Sequence, residues 1–141
     1  MAMTAQVSAW QRSLTYTALC VTGEVVFTGL KNFPLLQGFT QLWVFPLYAI
    51  GSIYAFEPLH EKLRDKPLFV RAAVYASMIF ALEYFGGWAA EKLIGVCPWK
   101  YTSPLSVHGY INLSYFPLWC AVGILAEKLH NYFLTLSIIR K

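Results

Sequence analysis

Charged residues are scarce in this chain: 13% of its 141 residues are Asp, Glu, Lys or Arg, against about 25% in an average soluble protein. An ordinary water-exposed surface is hard to build from so few. There is also no glycine-rich phosphate loop, no C-x-x-C pair, no Ser-His-Asp order and no histidine pair at metal-ligand spacing. Nucleotide-driven, disulfide and hydrolytic chemistry, and a metal site, therefore have no motif behind them. Cysteines number three. Cys20 and Cys120 fall inside predicted helices as small apolar residues, whereas Cys97, in a predicted loop, could pair only with another chain. The net charge of +4 arises from basic residues at helix ends without a basic face, which argues against a nucleic-acid partner.

Apolar residues fill the gap, at 57% of the chain with a mean hydropathy of +0.49. Crossing about 30 Å of hydrocarbon at about 1.5 Å per residue takes roughly 20 residues of helix. Four runs answer to this requirement: Ser13 to Leu30, Phe39 to Phe56, Phe69 to Ala90, and Ile111 to Ala126 with a tail that could reach Ile139. Arg12, Lys62, Arg64, Lys66, Arg71, Lys128, Arg140 and Lys141 lie on one side of these runs, and Lys31, Lys92 and Lys100 on the other. That bias predicts a multi-pass protein with both termini in the cytoplasm. Met1 to Trp10 is expected as a short lead-in, and helix 1 is expected to be retained, because Glu24 and the lack of a small-x-small site do not fit a signal peptide.

The chain also repeats itself. Gly38 to Tyr48 reads G-F-T-Q-L-W-V-F-P-L-Y, and Gly109 to Trp119 reads G-Y-I-N-L-S-Y-F-P-L-W; at an offset of 71 they share Gly, Leu and Phe-Pro-Leu. Upstream, at an offset of 59, Arg12, Tyr16 and Glu24 answer to Arg71, Tyr75 and Glu83. Downstream, Glu57-x-Leu59-His60 answers to Glu127-x-Leu129-His130. The predicted fold class is all-α, a polytopic membrane protein of four transmembrane helices in a single domain over 1–141. Two parallel helix-hairpin repeats, about 10–60 and 69–131, place helix 1 across the centre from helix 3. Residues 95–108 form an insertion whose prolines argue against helix; with Trp99 and Tyr101 suited to the interface, it is predicted as an external capping loop.

Counting residues sets depth. Glu24 and Glu83 each lie twelve residues beyond an arginine at the inner interface, or about 18 Å into a core of about 30 Å. Pro46 and Pro117, eight residues after Gly38 and Gly109, reach the same level from outside. Each proline is expected to free the carbonyl four residues earlier, at Leu42 and Leu113, and Gln41 and Asn112 add amides just above. The outer half of the bundle is thus predicted to hold two carboxyls, two freed carbonyls and two amides, with His108 of the loop nearby. A carboxylate at mid-span is costly, so it marks a functional site by default. The functional reading is a site for a cation, a proton or an amine; the bland reading is that both glutamates stay protonated and bond across helices. Glu57 and Glu127 are expected to pair in solvent with Lys62 and Lys128, Glu91 with Lys92, and His60 and His130 to be interfacial polar residues.

Several of these stretches are similar to one known family. Glu24 in V-T-G-E-V-V-F-T, Glu83 in L-E-Y-F-G-G, the run C-P-W-K-Y-T-S and Gly109 followed by I-N-L resemble the transmembrane protein 229 family and the related CmpB-type ABC-transporter type IV membrane proteins. The resemblance covers nearly the whole chain and implies a small multi-pass membrane protein. The family motif reads C-P-W-D-Y-S, whereas this chain has Lys100 at the acidic position, which removes an acid from the cap. The expected function is binding or passage of a small cationic solute or proton through the intramembrane site. The alternatives are an accessory or structural subunit of a larger membrane complex, and a membrane enzyme acting on a lipid or isoprenoid with Glu83 as acid or base. The expected partners are the lipid bilayer and either further copies of the chain or a membrane complex; the residues name no cofactor.

Overall fold

A computed structural model describes residues 7–139, with side chains through 136. Arg140 and Lys141, two of the charges behind the orientation, lie outside the described residues, as does the start of the lead-in, 1–6. Helix α1 spans Ala9–Lys31. It begins earlier than its apolar run because Ser8 and Gln11 close a capping box: the Ser8 hydroxyl accepts from the Gln11 N–H at 3.2 Å and the Gln11 amide oxygen accepts from the Ser8 N–H at 2.8 Å.

The second run does not start a helix at Phe39. The segment from Gln37 to Gln41 has no regular structure and runs back along α1, held where the Phe39 N–H donates to Thr28 Oγ1 at 2.9 Å. Gly38 permits this contact, since a Cβ there would lie 2.0 Å from the Val25 carbonyl oxygen. Helix α2 (Val44–Gly51), a π turn (Ser52–Phe56) and α3 (Glu57–Leu63) then follow as one rod. The helix does not stop with the second apolar run at Phe56 but continues through Pro58. An interior proline clashes with the carbonyl four residues back, and the wider π turn, in which the Glu57 N–H reaches back to the Ser52 carbonyl, makes room for it.

Helix α4 covers Leu68–Ile94 and ends on Gly95 in the left-handed conformation, φ 80°, a common helix stop. Strands β1 (Ser106–Val107) and β2 (Ile111–Asn112) form a small antiparallel hairpin. Its turn has positive φ at His108 and Gly109, with the Tyr110 N–H bonded to the Val107 carbonyl. A 3-10 turn, Leu113–Tyr115, leads into α5, Phe116–Ile139. The fourth helix therefore starts five residues later than its apolar run, whose first two residues are strand.

In the bundle α1 packs on α2 and α4 on α5, with α1 also meeting α5 and α2 meeting α4. The apolar core gathers Tyr16, Phe56, Leu63 and Tyr75, with Met78, Ile124 and Leu129 against them. Gly123 lets α5 approach closely: a Cβ there would stand 2.4 Å from the Tyr75 Cβ. Two helices, α1 and α4, are long and apolar enough to cross a membrane. Large apolar side chains such as Leu19, Val26, Phe69, Phe85 and Leu93 are exposed on them, which suits a hydrocarbon surround.

Candidate functional site

Glu83 sits on the α4 face turned into the bundle and is 7% exposed. The Trp119 indole N–H of α5 and the Tyr101 hydroxyl are near enough to favour its charged form, yet neither Oε2 nor the Trp119 N–H makes a hydrogen bond of good geometry. Trp119, Glu24 of α1 and Tyr101 of the capping loop are the groups that bear most directly on this carboxyl. Tyr48 of α2 is in the field of both glutamates. The half-buried Glu24 accepts a short hydrogen bond from Thr40 Oγ1, which the segment running back along α1 brings to it. Burial pushes the Tyr101 phenol well above its ordinary range, with Glu83, Tyr115 and Glu24 adding to the shift. It stays a neutral O–H beside two carboxyls, a group able to donate to them or to what they hold.

The capping loop folds onto this end of α4. Cys97 and Tyr110 lie against Gly87, and Trp99 lies against Gly86; the Trp99 indole N–H donates to the Tyr110 carbonyl at 3.2 Å. The Tyr101 N–H bonds the Gly109 carbonyl at 2.8 Å. Cys97 is free and buried, so its packing does not present it to another chain as expected. Glu91 does not pair with Lys92. It accepts a short bond from the Tyr110 hydroxyl and stands 3.9 Å from Lys100, so the cation at the motif's acidic position has a counter-ion.

The other residues expected at the site have their polar groups bonded to other partners or exposed. Gln41 is exposed. Pro46 is the third residue of α2 and Pro117 the second of α5, in first turns whose N–H groups have no intrahelical acceptor to lose. The Leu42 and Leu113 carbonyls are not freed: they accept from the N–H groups of Phe45 and Phe116. Asn112 is buried, but its Oδ1 accepts from the Ser114 N–H and hydroxyl at 3.1 and 2.9 Å, capping the 3-10 turn. His108 is exposed and shares a 2.7 Å bond with the Tyr84 hydroxyl.

A second polar cluster, at the end where α3 meets α5, was not expected. Arg12 binds Glu57 through Nε and Nη2, each at 2.8 Å, and donates to the Val7 carbonyl. Arg71 binds Glu127 at 2.9 Å and donates to the Lys66 carbonyl. The glutamates thus pair with distant arginines instead of Lys62 and Lys128, because residues five and one along do not share a helix face with their glutamate as residues three or four along do. Tyr75 adds a 3.0 Å bond to Glu127, and the Tyr16 hydroxyl shares a 2.9 Å bond with His130 Nδ1. His60 and His130, both buried, bring their ring centroids to 4.6 Å. His130 lies four residues past the fourth apolar run, and burial, then His60, pushes its pKa below the ordinary value. The signal was in the repeat itself, since Arg12, Tyr16, Glu57 and His60 have counterparts of the same type in the second half. Among the described residues no group of three or more His, Cys, Asp or Glu could hold a metal ion.

No curated protein and no solved structure matches the chain. The profile of one family does, over residues 14–140, a span that takes in the Glu24–Glu83 cluster, the capping loop and the histidine pair. The match agrees with the CmpB side of the resemblance and, with two helices able to cross a membrane, with membrane association. The chain belongs to the family described as "Putative ABC-transporter type IV".

Proposed function

We propose that this is a four-span membrane protein with both termini cytoplasmic, and that it binds or passes a proton or small cation at a site centred on Glu83 and Glu24. The observation that carries the reading is the buried Glu83 carboxyl with an unpartnered oxygen under the capping loop. A buried carboxylate is costly unless its oxygens are fully bonded or paired, and Oε2 here is not, so the group either holds a proton or awaits a cation. Glu24 raises that cost by its charge, and Tyr101 and Trp119 supply donors and aromatic faces that suit exchange between the two states. The duplicated hairpin gives the reason for two acids at one level, one from each half. The test is reconstitution in liposomes with a pH-sensitive dye inside. E83Q is expected to lower proton or cation flux at least about tenfold, the order of one lost charged interaction, while leaving assembly unchanged. Flux equal to that of the unaltered protein would remove the reading.

The family name favours a second reading, that the chain is a membrane subunit of a transporter. Without a nucleotide motif it would take ATP-driven work from a partner. Co-purification with a nucleotide-binding protein in fixed ratio, with no flux from the isolated chain, would favour this reading over the first.

A further inference from the structure

A cavity of about 640 Å³ opens between α3 and α5, lined among others by Arg12, Glu57, His60, Arg64, Asp65 and His130. His60 and His130 are 6% and 5% exposed. His130 Nδ1 is engaged by Tyr16, but His60 Nδ1 is buried without a partner. The rings meet edge to face, and Phe56 packs against both.

We propose that His60 and His130 form a binding site for a single shared proton, filled from the aqueous cavity at mildly acidic pH and closed to a second proton until the pH falls much further. The cavity can hold many waters at about 30 Å³ each, so solvent brings the proton to the rings. The step moves one proton from hydronium to an imidazole lone pair and leaves water behind. With the ring centroids only 4.6 Å apart, a second proton would set two imidazolium cations in contact.

The charged groups facing the pair are Arg12 from α1 and Arg64 from the turn, against Glu57 and Glu61 of α3 and Asp65 of the turn; burial outweighs the acids at His130, so the pair takes its first proton only below the ordinary imidazole range. Glu57 Oε1 is 3.8 Å from His130 Nδ1. Tyr16 is a neutral hydroxyl partner, while Arg71, Tyr75 and Glu127 on α4 and α5 bond to one another. The inference uses neither Glu24 nor Glu83 and stands or falls apart from the reading of that site.

The test is a pH titration of the full chain in lipid nanodiscs with 15N-labelled imidazoles, from about pH 8.5 to 4.5, with exposed His108 as internal reference. Coupled sites titrate in steps set by the pair, so His60 and His130 are expected to change in two stages at least about one pH unit apart. In H60Q, His130 should titrate in one step moved to higher pH. Y16F keeps both rings and should keep the two stages. Coincident titration of His60 and His130 in the unaltered protein or in Y16F overturns the proposal, as does an unmoved His130 step in folded H60Q. Should H60Q not fold, the unaltered protein and Y16F decide.

Discussion

Glu127 shows how much one buried carboxylate can hold in place. It is 8% exposed and takes both the Arg71 guanidinium and the Tyr75 hydroxyl, so removing it strands a cation and a phenol together. Breaking one side of a buried ion pair costs about 3–5 kcal/mol. E127A is therefore expected to lower the melting temperature of the protein in detergent more than E61A, whose exposed parent makes no such bonds; equal melting would show that the pair contributes little. His130 adds a pH dependence of known sign. Its folded form favours the neutral ring, so below the unfolded value of 6.5 the unfolded chain binds more protons and folding weakens. Melting temperature should fall as pH drops from about 7.5 to 5.5 across that unfolded value, and fall less in H130Q. Neither effect could be read from the residues alone. Glu127 and His130 look interfacial by position, and only the crossing of α3, α4 and α5 buries them.

Helix contacts depend on where small residues fall. Gly123 meets Tyr75 at a distance no Cβ can share, whereas Gly23 has nothing within 4 Å. Overpacking costs about 1–3 kcal/mol, and glycine in an open helix position is about 0.8–1 kcal/mol worse than alanine. Thermal melting should show G123A destabilised by the first amount and G23A stabilised by up to the second; similar shifts for both would contradict the α4–α5 packing. The π turn belongs to this scale too. Leu47 and Leu118 are 71 apart but Glu57 and Glu127 are 70 apart, so the first half carries one extra residue between these points. The π turn at Ser52–Phe56 takes up one residue and returns Glu57 and His60 to the register of Glu127 and His130. That arithmetic was visible in the chain, but a one-residue change of offset does not say whether a loop, a kink or a wider turn absorbs it.

Across the whole molecule the charges make a directional claim. The turn around Asp65 and the capping loop around Thr102, both exposed, should lie on opposite sides of the membrane. In a cysteine-free background, D65C is expected to react with an impermeant thiol reagent only after the cytoplasmic side is opened, and T102C from outside in intact cells. Labelling of both from one side would refute the orientation.

The sequence by itself determined the helical class, the four apolar runs and the two acidic residues set within apolar stretches, because period, length and composition are local properties of the chain. Only the tertiary structure decided which polar atoms meet. The irregular Gln37–Gln41 segment delivers Thr40 to Glu24, the hairpin brings Tyr101 to Glu83, and the carbonyls expected to open at Pro46 and Pro117 are already bonded. Those outcomes follow from how irregular backbone finds its hydrogen-bond partners among neighbouring helices, and no spacing rule along one helix contains that information.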